Sequence, residues 1–116
     1  MAGRAARIEQ RIKAAFAEMA RDFELIGDIR GRGVLIGIEL VTDRERKTPA
    51  NAEAKEIARL CQQNGLIFQL RGIGDLLNVI RLVPPMTTSD AEIDRAMSIL
   101  RDAIAAVSRR HRAAAE

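Results

Sequence analysis

In the stretch NVIRLVPP, Asn78 to Pro85, a single arginine interrupts an apolar run that two prolines then close. Period-two alternation sets Val79, Arg81 and Val83 on one face of a strand and Ile80 and Leu82 on the other, so both faces are apolar apart from Arg81. A guanidinium stays charged at any ordinary pH, and a buried charge is costly unless something anionic pairs with it. Its planar fork of donors suits a carboxylate held through both oxygens. Two readings are open on the residues alone: an internal salt-bridge partner, or the recognition group of an anionic ligand.

Other reactive side chains are few. Cys61 is the one cysteine, which excludes an intramolecular disulfide, and no Cys/His grouping has zinc-site spacing. It falls on the apolar side of an expected helix with no histidine to activate it, which points to an inert core thiol. The one histidine, His111, lies in SRRHR (Ser108 to Arg112), a basic cluster at the end of the last helix and expected to be tail. Without a histidine among the expected ordered elements, the inventory argues against a self-sufficient hydrolase or metalloenzyme. Lys13 and Lys55 fall on helices and Lys47 on a loop, all expected on the solvated surface. Gly31, Gly33 and Gly37 have the spacing G-x-G-x-x-x-G, one residue too long for a dinucleotide loop, and a strand follows where that motif requires a helix.

The totals describe an ordinary globular chain. Its 116 residues are one domain's worth, 47% hydrophobic and 30% charged. The formal charge of +3 gives little reason for a nucleic-acid partner, and the absence of Trp and Tyr removes most stacking platforms. The longest apolar run, GVLIGI, is far too short to span a bilayer, and no apolar signal core opens the chain. The expected compartment is the cytosol, with no membrane partner.

The elements that must position Arg81 read as helix, two strands, helix, two strands, helix. Ile8, Ile12, Phe16, Met19 and Phe23 form one face of a helix from about Ala5 to Asp22. Leu25 to Arg30 and Val34 to Val41 are extended runs flanking GRG, Gly31 to Gly33. Pro49 is placed to open a second helix that carries Ile57, Leu60 and Cys61 and stops at Gly65. Leu66 to Leu70 and the NVIRLV run are the third and fourth strands. Ser89 and Glu92 fit a capping box that starts the last helix, with Ile93, Met97, Leu100, Ile104 and Val107 inward. This order predicts an α+β fold, a three- to four-stranded mainly antiparallel sheet with helices on one face. Leu76, Leu77, Pro84, Pro85 and Met86 have no evident partner within the chain, which suggests that something else covers the second face.

Taken together, IGDIRGRGVLIGIELV, DRERKTPA, QQNGLIF and NVIRLVPPMTTSDAEIDRAMSIL occur in an order that resembles the C-terminal small domain of class-III aminotransferases, pyridoxal-phosphate enzymes of fold type I. The likeness runs from about Arg11 to Ile104. Within the family, DRERKTPA and the glycine spacing are most similar to the transaminating decarboxylases of the 2,2-dialkylglycine type. The resemblance implies that residues 1–116 are one small domain of a longer enzyme, expected to be a cytoplasmic homodimer acting on amino acids and 2-oxo acids. It implies that Arg81, in the R-x-x-P-P block, binds the substrate carboxylate. It also implies that pyridoxal 5'-phosphate, its lysine and every catalytic group belong to a large domain outside this chain. The isolated fragment is then expected to be inactive, with no catalytic, cofactor or metal residue of its own. Arg30 and Arg32 are expected to be structural, pairing with Asp28 or Glu39. The alternatives are a decarboxylating transaminase and a stand-alone, non-catalytic binding module with the same fold.

Overall fold

The computed structural model describes residues 2–32, 35–72, 77–85 and 87–115. Helix α1 (Ala2–Asp22) leads into β1 (Ile26–Arg32) and β2 (Leu35–Asp43), then the two-residue β3 (Thr48–Pro49) and helix α2 (Asn51–Gln63). β4 (Gln69–Arg71), β5 (Val79–Leu82) and the long helix α3 (Asp90–Ala115) complete the chain. The sheet is antiparallel throughout, in the order β1-β2-β5-β4, with β3 paired separately to β2. This is the α+β arrangement expected from the sequence.

The periodicities explain the layers. Ile36, Ile38 and Leu40 on β2 and Ile80 and Leu82 on β5 are buried on one face of the sheet. Ile8, Ile12, Phe16 and Met19 from α1, Ile57 and Cys61 from α2, and Ile93, Met97, Leu100, Ile104 and Val107 from α3 pack into the same cluster. Each large side chain removed from water contributes roughly 1.5–3 kcal/mol. Local chemistry sets the ends. The Ser89 N–H donates to Glu92 Oε1 and the Glu92 N–H to Ser89 Oγ, which is the reciprocal cap expected ahead of α3. After α2, Gly65 takes φ +93°, a left-handed conformation that glycine adopts without steric penalty. Arg44 donates to the carbonyls of Ala20 and Phe23, at 2.6 and 3.0 Å, and so caps the negative end of α1.

Three expectations need correction. Pro49 does not open α2; it pairs with Val41 in β3, and the helix begins at Asn51. Proline lacks a ladder donor, but a two-residue edge pairing tolerates that. The third strand is shorter and later than the apolar alternation implied. The Leu66 N–H still closes the end of α2 on the Cys61 carbonyl at 2.8 Å, so pairing begins only at Gln69. Finally, His111 is not in a tail: α3 continues to Ala115 and holds its Nδ1 3.5 Å from Glu53 Oε2 on α2. Leu76 and Met86 lie outside the described residues, as do the side chains of Arg30 and Arg32 and the pairing expected of them.

Helix-to-helix ion pairs tie the outer layer. Arg11 grips Asp94 through two hydrogen bonds at 2.9 and 2.7 Å, Arg7 reaches Asp90 at 2.9 Å, and Arg101 reaches Asp22 at 2.6 Å. Arg101 also lies over the Phe23 ring, 5.1 Å from its centroid. Glu56 of α2 accepts from Arg59 on the same helix and, across to α3, from Arg110 at 2.9 Å. The Arg59 hydrogen bond, helped by Arg110, holds the Glu56 carboxyl down to about 2 from an ordinary value near 4.5. A carboxyl whose pKa falls on folding stabilises the fold above its unfolded value, and that contribution is lost as pH falls toward the folded one. The stabilising effect of Glu56 is therefore expected to fade between pH 4.5 and about 2. Melting temperatures of the native chain and of Glu56→Gln, measured across that window, should converge as pH drops. A difference that stays constant with pH would contradict the assignment.

Candidate functional site

Arg81 sits in the middle of β5, half-buried, on the face of the sheet turned away from the helices. Its neighbours follow from register. Gly37 of β2 stands opposite it on one side and Gln69 of β4 on the other, while Arg30 of β1 pairs with Gly37 in the next strand. A side chain at Gly37 would bring a Cβ within 3.0 Å of the Ile80 carbonyl oxygen, so the close approach of β2 and β5 beside Arg81 depends on glycine. Val79 shares the Arg81 face, opposite Glu39, and Arg71 flanks it on β4.

The question the sequence left open was what anion meets Arg81. Among the described residues the Arg81 side chain makes no hydrogen bond and no ion pair. The carboxylates of the helical layer are engaged elsewhere: Asp22, Asp90 and Asp94 bind arginines of the α1–α3 seam, and Glu53 and Glu56 sit at the α2–α3 seam. Glu39, on the outer face, has an interaction of its own. The Arg81 fork thus faces out of the domain with its donors unmatched among the described residues.

Beyond β5 the chain forms the rim of an apolar cleft of about 360 Å³, where Leu82, Val83, Pro84 and Pro85 face Ile12, Ile93 and Met97. Ile67 at 78% and Val83 at 57% are the most exposed large apolar residues described there, and Leu77 is 36% exposed. Of the apolar residues expected to lack partners, Pro85 and Leu77 are exposed and Pro84 is half-buried. The Leu77 N–H is nonetheless tied to Asn51 Oδ1 at 3.0 Å. Asn78, buried just before β5, donates from Nδ2 to the Leu40 carbonyl at 3.1 Å, while its own carbonyl accepts from the Leu40 N–H at 2.8 Å. That double link locks the entry of β5 to β2 and so fixes where Arg81 stands.

The remaining candidates stay apart. Cys61 is fully buried, and burial pushes its thiol up to about 11, as suits an inert core residue. Lys47 and Lys55 are exposed, and Lys13 lies on α1 with its amine 3.9 Å from Glu9. No group of three His, Cys, Asp or Glu among the described residues could hold a metal ion, and no described helix is long and apolar enough to cross a membrane. Gln69 went unnoticed in the sequence because its meeting with Arg81 depends on strand register across a loop, which no local pattern reports.

A small antiparallel sheet, covered on one side by helices and presenting on the other an arginine unmatched among the described residues, is thus the arrangement to be explained. Residues 1–104 match the family model Aminotransferase class-III, and the chain belongs to that family. It is 42% identical over 91 residues to the leucine/methionine racemase of Thermococcus litoralis, covering 78% of this chain and 19% of that protein. It is 42% identical over 80 residues to the adenosylmethionine-8-amino-7-oxononanoate aminotransferase of Staphylococcus aureus, covering 68% of this chain and 17% of that one. Among solved structures, a Bacillus anthracis aminotransferase superposes with a TM-score of 0.82 at 33% identity, over 89% of this chain and 24% of its own. The chain therefore spans less than one-fifth of the length of these two curated relatives.

Class-III aminotransferases are pyridoxal-phosphate enzymes. The residues described here do not form a site for that cofactor. The three lysines stand on α1, α2 and the β2–β3 turn, and neither the apolar cleft nor the open groove beside Gly27 and Arg44 is lined by any of them. The isolated chain is accordingly expected to form no specific adduct with pyridoxal phosphate. Dialysis after mixing should remove any visible absorbance band. A stoichiometric band that survives dialysis would show that these residues do form a cofactor site.

Proposed function

We propose that residues 1–116 are the C-terminal small domain of a pyridoxal-phosphate aminotransferase that moves an amino group between an amino acid and a 2-oxo acid. In this reading Arg81 holds the substrate carboxylate. The single observation that carries it is the unmatched guanidinium: a half-buried fork on a rigid strand, facing out of the domain, with no anion of its own among the described residues. An amino acid and its oxo acid both present a carboxylate, so one fork can orient both while the reacting carbon changes. The cofactor and the groups that work on it belong, in this proposal, to a large domain outside the chain, and the whole enzyme is a cytoplasmic homodimer. The apolar surface around Ile67, Val83 and Pro85 suits contact with that larger body.

A transaminating decarboxylase of the 2,2-dialkylglycine type is the second reading, favoured by the motif Asp43 to Ala50. That motif has local structural duties. Asp43 Oδ1 accepts the Glu45 N–H at 2.9 Å, Arg44 caps α1, and Lys47 adopts φ 56° in the turn before β3. The likeness therefore speaks for local fold more than for choice of substrate.

Arg81→Lys and Arg81→Ala in the full-length enzyme test the carboxylate assignment. Lysine keeps the charge but loses the fork. Removing one side of a buried charge pair costs on the order of 2–5 kcal/mol, or about 30- to several-thousand-fold in kcat/KM, with lysine toward the low end and alanine toward the high end. Amino acids and oxo acids should be affected alike, and the bound cofactor's absorbance should persist. A lower melting temperature with normal turnover per folded enzyme would overturn the assignment.

A further inference from the structure

We infer that Gln69 is a second ligand of the same carboxylate, held in its working orientation by Arg71; the inference rests on the reading of Arg81 given above. Gln69 and Arg81 are directly opposed across the β4–β5 ladder, so their side chains leave the same face, with Cβ atoms about 4.5–5.5 Å apart. Arg71, two residues along β4, shares that face and donates from Nη2 to Gln69 Oε1 at 3.1 Å. Arginine has donors and no acceptor, so this bond determines which way the amide is turned: Oε1 toward Arg71, and the two Nε2 protons away from it. Arg71 occupies one lone pair of Oε1, and among the described residues the Arg81 guanidinium does not use the other, which leaves the Nε2 protons as the groups Gln69 offers a ligand beside Arg81. Two sets of donors side by side, with no carboxylate bonded to the Arg81 guanidinium among the described residues, suit a common acceptor. A carboxylate supplies four lone-pair sites, enough to accept the Arg81 fork and one Gln69 N–H together.

The chemistry selects a planar carboxylate bearing full negative charge. It also gives Arg71 a role at one remove, since it touches Gln69 and not the ligand. Arg71 is thus a positioning residue, and its positive charge adds to the field on this face.

The test uses the full-length enzyme loaded with cofactor and two probes that need no knowledge of the natural substrate. Aminooxyacetate carries a carboxylate and methoxyamine carries none, and both discharge the visible absorbance of bound pyridoxal phosphate. The readout is the ratio of their second-order rate constants, with the melting temperature of each variant beside it. Gln69→Leu should lower the aminooxyacetate-to-methoxyamine ratio about 10- to 100-fold, the loss of one hydrogen bond to a charged group. Gln69→Glu should lower it further, because a second carboxylate both repels the probe and occupies Arg81. If Arg81→Lys lowers the ratio while neither Gln69 variant does, the Gln69 inference is overturned and the Arg81 reading stands. If none of the three moves the ratio, both fall. Parallel losses in the two rates with a depressed melting temperature, the ratio unmoved, would assign Gln69 a structural role and also overturn the inference.

Discussion

Ile36 and Ile38 on β2 lie opposite Leu82 and Ile80 on β5, and the register of this central pairing is the constraint on which the rest of the domain depends. Side chains alternate with a period of two, so a slip of one residue would carry Ile80 and Leu82 out of the core and drive Arg81 into it. Such a slip would expose two large apolar groups and bury an uncompensated charge, each a cost of several kcal/mol. The contacts that fold the domain therefore also hold the guanidinium on the outer face. Asn78 and the close approach permitted by Gly37 reinforce the same register from either side of Arg81.

The distribution of carboxylates gives that outer face its character. Asp22, Asp90, Asp94, Glu53 and Glu56 all lie on the helices, where they meet arginines or His111 across the α1–α3 and α2–α3 seams. Exposed pairs of this kind contribute little each and are weakened by salt. Their larger effect is on charge balance: they consume anions on the helical side and leave Arg81 and Arg71 to a sheet face where Glu39, itself engaged, is the acidic neighbour in the β2–β5 ladder. The domain is held together by apolar burial and its outer face is addressed by charge. The two functions use opposite sides of the same strands.

The helices and the core were legible because the spacing of Ile8, Ile12, Phe16 and Met19, and of Ile93, Met97, Leu100, Ile104 and Val107, matches one helical face, and these residues are the buried ones. The Ser89–Glu92 cap and the Gly65 stop were legible for the same reason: each depends on residues within one turn. Arg81 stood out because a charge in an apolar alternation has no bland explanation on its own strand. What escaped was set by distant contacts. Leu66 to Phe68 alternate like a strand, yet the end of α2 holds Leu66, and the ladder begins two residues after Ile67. Pro49 reads as a helix opener until β2 is there to pair with it. His111 lies on a helix longer than its apolar stripe, extended past Val107 alongside α2, where Arg110 and His111 meet Glu56 and Glu53. Gln69 becomes meaningful only when β4 is laid against β5.

The central claim is that Arg81 receives a carboxylate from outside its own domain, and the most direct test is a crystal structure of the full-length enzyme with a carboxylate ligand bound. Both carboxylate oxygens are expected about 2.7–2.9 Å from guanidinium nitrogens of Arg81, in the side-by-side geometry of a fork. It would be contradicted by a ligand carboxylate gripped by some other cation while Arg81 is paired with an acidic residue of the protein.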